Sequence, residues 1–189
     1  MPFLHDLLDL STWLLEATAP ELEARCAAVA RRLVDGRVRA VGLAPADDDV
    51  AVPPAALLLG RALGLASAGR VAVIDAIGTW ASSTSRSRRG VATTWLLDDL
   101  AVLSPPPAAP GGGLAQLQAL VEEQGAAFDR LVVDLTGLDH AGEQLGACAL
   151  LDAVVVVARS GRTRERDLWR WTTALPPPGP LGVLLTGTP

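Results

Sequence analysis

A chain of 189 residues of which 50% are hydrophobic can bury one good core and is too short for two. The formal net charge of −5 gives the molecule as a whole no electrostatic reason to seek nucleic acid or an anionic membrane. All 16 basic residues are arginine, so lysine chemistry (a phosphate-gripping ammonium, a Schiff base, a pyridoxal site) is excluded.

Phe3 to Glu16 reads as an amphipathic helix. Phe3, Leu4, Leu7, Leu8, Leu10, Leu14 and Leu15 share a wide face, while Asp6, Asp9 and Glu16 lie opposite. An acidic polar face does not suit an anionic membrane surface, which leaves packing onto its own domain or docking to a partner. Trp13 falls on the polar side of the wheel and is a candidate partner contact. Thr18 to Glu21 has the spacing of a capping box, and the helix that it opens carries Leu22, Cys26, Val29 and Leu33 as a stripe before Asp35-Gly36 stops it. Residues 1–36 are thus expected to form an N-terminal helical segment, and 37–189 an α/β domain.

In that domain Arg37–Ala44 predicts a strand, Pro45–Pro54 a loop, Ala55–Ala66 an apolar helix and Arg70–Asp75 a second strand. Ala76–Gly90 is small and polar, with arginines at 86, 88 and 89, and reads as a loop. A short helix is expected at Val91–Leu97, then a strand at Leu100–Leu103. Ser104–Gly113 is rich in proline and glycine and must be irregular. A helix at Leu114–Phe128 leads into Leu131–Val133, another strand, which ends in Asp134. Ala153–Ala158 (AVVVVA) follows a helix-compatible crossover, and a helix at Arg162–Leu175 precedes a last strand at Leu181–Leu185.

Runs that are apolar at every position suit strands buried on both faces of a parallel sheet. The alternation of strands and helices then predicts a three-layer α/β fold, a mainly parallel sheet with helices on both faces. In such sheets ligands bind at the carboxyl ends of the strands. No apolar run is long and uncharged enough for a membrane span. Cys26 and Cys148 read as reduced, buried thiols of a cytoplasmic protein, and His5 and His140 have no ligand spacing to them.

RVRAVGLAPA, a helix, GRVAVIDA, AFDRLVVDLTGL, LLDAVVVVARSGRTRERDL and LGVLLTG succeed one another from Arg37 to Gly187. In this order they resemble the deviant-Walker P-loop ATPases, the ParA/MinD family, and particularly the ATPase domain of bacterial tyrosine kinases of polysaccharide export. The resemblance implies a Gly-rich loop after the first strand, with a lysine on the phosphates and a hydroxyl on magnesium. The matching stretch here, Ala44 to Pro54, holds Pro45, Asp47, Asp48, Asp49 and Pro53-Pro54, with no glycine, lysine, serine or threonine. Three acids where a polyanion would sit repel it by about 1 kcal/mol per pair at ~4 Å even in bulk water. The prolines delete two backbone donors at the helix start.

Asp75 and Asp134 stand where the resemblance places magnesium-linked acids, with Thr136 just beyond. Together with Pro45 and Asp47–Asp49 they form a vestigial pocket, and no cofactor or metal is expected in it. A bare divalent-cation site built from the five acids is the alternative. With no tyrosine in the chain, no autophosphorylated tyrosine cluster can form.

Arg162, Arg166 and Arg170 fall at i, i+4 and i+8 of the Arg162–Leu175 helix beside Trp169, while Leu168, Trp171 and Leu175 face the sheet. Arginine and tryptophan dominate interface hot spots, so this stripe is the candidate surface for a protein partner or a second copy. The expected function is that of a non-catalytic ParA/MinD-like module or scaffold, a pseudo-ATPase, in polysaccharide export or in positioning. Two alternatives stand beside it: an active ATPase with a rewritten loop, and nucleic-acid binding through the arginine patches.

Overall fold

β-branched and aliphatic runs with no polar face for water fold into the inner strands of a sheet. In the computed structural model, which describes residues 20–78, 80, 90–106, 112–138, 142–175 and 179–187, seven strands form one sheet. They are β1 (Ala40–Pro45), β2 (Val71–Asp75), β3 (Ala92–Leu97), β4 (Leu100–Ser104), β5 (Arg130–Asp134), β6 (Ala153–Arg159) and β7 (Gly182–Thr186). Their order is β3-β4-β2-β5-β1-β6-β7, and every neighbouring pair is parallel except β3 with β4. The helices among the described residues are α1 (Pro20–Asp35), α2 (Pro53–Ser67), α3 (Gly113–Gln124), α4 (Gln144–Cys148) and α5 (Glu165–Ala174).

Two hydrophobic clusters follow from the alternation of side chains along each strand. On one face Cys26, Ala30 and Leu33 of α1 and Leu57, Leu59 and Leu63 of α2 pack on Val41, Val73 and Val132. On the other, Leu117 and Leu120 of α3, Ala147 of α4 and Trp171 of α5 pack on Ala72, Val133 and Val156. This is the three-layer α/β architecture of P-loop NTPases, with α1 built into the same core as the sheet. At Gly60 helix and sheet come so close that a Cβ would stand 2.8 Å from Val73 Cγ2. A glycine in mid-helix costs about 1 kcal/mol against alanine, and here that close approach is the reason for it.

The helix expected at Val91–Leu97 is instead β3, antiparallel to β4 through a two-residue turn at Asp98-Asp99. Thr93, Thr94 and Trp95 prefer extended backbone, and an edge strand tolerates the polar side chains that an inner strand would not. The helix expected from Arg162 starts only at Glu165, with Arg164 extended as its N-cap. The helix expected to reach Phe128 stops at Gln124.

Aspartates pin the amino-terminal edge of the sheet. Asp152 Oδ2 accepts from the backbone N–H groups of Arg39 and Ala40, both at 2.8 Å, and Asp129 Oδ2 accepts from that of Arg70 at 2.8 Å. The carboxyl edge holds a different pair, Asp75 and Asp134, directly opposite each other in the register of β2 and β5. Among the described residues no helix is long and apolar enough to cross a membrane.

Candidate functional site

β1 lies between β5 and β6, with Leu43 opposite Asp134 and Pro45 opposite Val157. The chain leaving β1 therefore emerges at the centre of the carboxyl edge. In the resembled fold a phosphate cradle would form there from free backbone N–H groups. Here the loop follows its neighbours. Ala46 N–H donates to Val157 O at 2.8 Å, and the Arg170 guanidinium donates to Ala46 O at 3.3 Å. Asp47 folds the loop on itself, accepting from Asp49 N–H at 3.1 Å, while its other oxygen accepts from the Thr163 hydroxyl at 2.8 Å. Val50 and Val52 turn into the core, while Asp48, Asp49 and Ala51 remain exposed.

The start of α2 removes further donors. Pro53 and Pro54 occupy its first two positions and have no N–H to offer. Val52, the N-cap, makes no side-chain cap, and Ala56 N–H already donates to Val52 O. Of the amides that a helix start normally aims at an anion, two do not exist.

On the other side of β1 the two buried acids share a partner. Asp134, 2% exposed, accepts through Oδ1 from the Thr136 N–H at 2.9 Å and from the Thr136 hydroxyl at 2.6 Å. Its Oδ2 accepts from the indole N–H of Trp80 at 3.0 Å. The backbone N–H of Trp80 donates in turn to Asp75 Oδ2 at 2.6 Å. One half-buried tryptophan thus bridges the two acids, ring to one and backbone to the other. Burial pushes the Asp134 carboxyl up from 3.8 to about 6, the hydrogen bonds from Thr136 oppose that shift, and the neighbouring Asp75 adds to it.

The residues expected to share one pocket are therefore divided. Asp47 is committed to Thr163 on the β6 side, while Asp75, Asp134 and Thr136 are gathered with Trp80 on the β2–β5 side. Among the described residues no group of three or more carboxylates, thiols or imidazoles is placed to hold a metal, so the alternative five-acid cation site does not assemble. Sequence reasoning overlooked Trp80 and Thr163. The available signal for Trp80 was a lone indole in a small, polar loop five residues beyond an acidic strand end.

The arginine stripe is shorter than its spacing implied. Arg162 sits in the turn before α5, its N–H donating to Arg159 O at 3.1 Å, so the helical line is only Arg166 and Arg170. Gly161, at φ 69°, makes that turn and ends any helix there. Trp169 is 59% exposed, its indole N–H donating to Glu165 Oε1 at 3.1 Å, and Arg166 lies 3.6 Å from Asp167. Arg170 stands 5.9 Å from the ring of the buried Trp171. Trp13 and the arginines at 86, 88 and 89 lie outside the described residues. Cys26 and Cys148 are both buried, and burial pushes their thiols up to about 12 and about 11, so both stay protonated.

No protein-family model matches this chain, and no curated protein matches its sequence. Solved structures share its fold. The VpsO kinase domain superposes with a TM-score of 0.65 at 15% identity, over 97% of this chain and 100% of that one. The BceF tyrosine kinase domain gives 0.61 at 19% identity, over 93% and 82%. The kinase domain of the Escherichia coli tyrosine kinase ETK gives 0.54 at 15% identity, over 79% and 68%. At such identities the likeness establishes the fold and nothing finer.

Proposed function

We propose that this chain is a non-catalytic, pseudo-ATPase module with the fold of the bacterial tyrosine-kinase domains, acting as a scaffold for a protein partner or a second copy. The observation that carries this reading is the junction of β1 and α2, where buried valines and two prolines stand in place of a phosphate cradle. Trp80 adds to it by occupying, with its ring and backbone N–H groups, the two acids that the resemblance links to magnesium. The resemblance further suggests a cytoplasmic role beside cell-surface polysaccharide export.

The scaffold surface is Arg166 and Trp169 on α5, with Arg162 in the preceding turn and Arg170 at the loop after β1. Replacing both Arg166 and Trp169 with alanine is expected to weaken association, measured by sedimentation of the purified chain or by capture of its partner from the native cell. The melting temperature should barely move, because exposed substitutions change stability by less than about 0.5 kcal/mol. A double variant that unfolds, or that associates as strongly as the parent, removes this surface from the proposal.

A further inference from the structure

We infer that residues 3–16 of this chain dock as a helix in the groove between α1 and α2. The groove encloses about 390 Å³, with Ala27 of α1 and Leu58, Ala62 and Leu65 of α2 among its walls. Leu65, 76% exposed, is the most exposed of the large hydrophobic side chains among the described residues. α2 is apolar over most of its circumference, so the face turned away from the sheet still offers surface that water solvates poorly.

Three features select the occupant. The first is proximity: the segment ends at Glu16, and α1, one wall of the groove, starts at Pro20. A link of three residues is within the roughly 2–8 usual between antiparallel helices, and it brings the segment back along α1. The second is length. A helix over residues 3–16 would be about 21 Å long and α2 is about 22 Å, so the two match end to end. The third is charge. The segment carries Asp6, Asp9 and Glu16 with no arginine, and the groove is bordered by Arg31 and Arg61. Arg61 is shared with Glu23 at 3.8 Å, which leaves the rim with a net positive balance. A leucine stripe facing Leu58 and Leu65, with acids toward the arginines, satisfies both halves of the amphipathic pattern.

Limited proteolysis of the full chain tests the docking, because cleavage tracks the population of the undocked segment when docking is fast. Chymotrypsin sites at Phe3, Trp13 and the leucines between them are read by mass spectrometry. In the parent these sites should be cut slowly. Leu65→Asp should speed their cleavage about tenfold or more by placing a charge in the groove. The Arg31→Glu/Arg61→Glu variant should also speed it, and it supplies the test independently if Leu65→Asp fails to fold. Leu145→Asp, at an exposed leucine on α4, should leave the rate unchanged. Rapid cleavage of the parent, or protection that survives all the groove variants, overturns the proposal. Protection that is lost on dilution, together with a dimeric mass, also overturns it and assigns the groove to the segment of a second copy.

Discussion

Replacing Asp134 with asparagine is expected to stabilise the protein relative to the parent as pH rises through 4 to 7. The folded carboxyl is raised by burial to about 6 from 3.8 in the absence of that environment. The folded state therefore binds the proton more tightly than the unfolded chain, and parent stability is lost as pH climbs from near 4 and through 6. The loss amounts to about 3 kcal/mol, complete above the folded value and absent below the unfolded one. Asparagine carries no charge to bury, but it turns one acceptor into a donor facing Thr136 or Trp80 and loses about 1 kcal/mol at every pH. Denaturant midpoints of both proteins at pH 4 and pH 7.5 should thus cross over, with the variant weaker in acid and stronger at neutral pH. A constant difference between the two would mean that Asp134 is not held in a dry site.

Leu59→Ala should produce the largest loss of stability among simple substitutions, about 2–5 kcal/mol. Leu59 is fully buried in the cluster between α2 and the sheet, where neighbouring Gly60 already touches Val73. Helix and sheet already pack closely at Gly60, so collapse closes the cavity only in part. The melting temperature should fall by roughly 4–20 °C for a domain of this size. Leu145→Ala, at a half-exposed position on α4, is the control and should change stability by under about 0.5 kcal/mol. Equal effects at the two leucines would contradict the assignment of the core.

The inner strands were legible because their residues leave no polar face, and no alternative to a sheet covered on both sides could satisfy them. β3 was not legible in the same way. Thr93, Thr94 and Trp95 sit between a polar loop and two aspartates, and only the pairing with β4 decides between strand and helix. At the site, the two missing helix-start donors could be read directly from Pro53-Pro54, because proline carries no backbone N–H. The engagement of the acids could not. Nothing in the spacing of Asp75, Trp80 and Asp134 reveals that one indole reaches across from β2 to β5, since that contact depends on strand register. Arg162 failed for a related reason, because the turn closed on Arg159 O by the N–H groups of Arg162 and Thr163 takes the place of the first residues of the expected helix.

Calorimetric titration of the full chain with ATP and magnesium is the most direct test of whether it binds nucleotide. Each oriented donor missing from a charged site typically costs roughly 2–3 kcal/mol, and here the lysine, the hydroxyl and two helix-start amides are all absent. The account predicts no saturable heat up to millimolar nucleotide, and no gain in melting temperature at 1 mM. A site with a dissociation constant near 10 μM would add about 2.7 kcal/mol at that concentration. Saturable micromolar binding that Asp134→Ala abolishes would contradict the account and identify an ATPase with a rewritten loop.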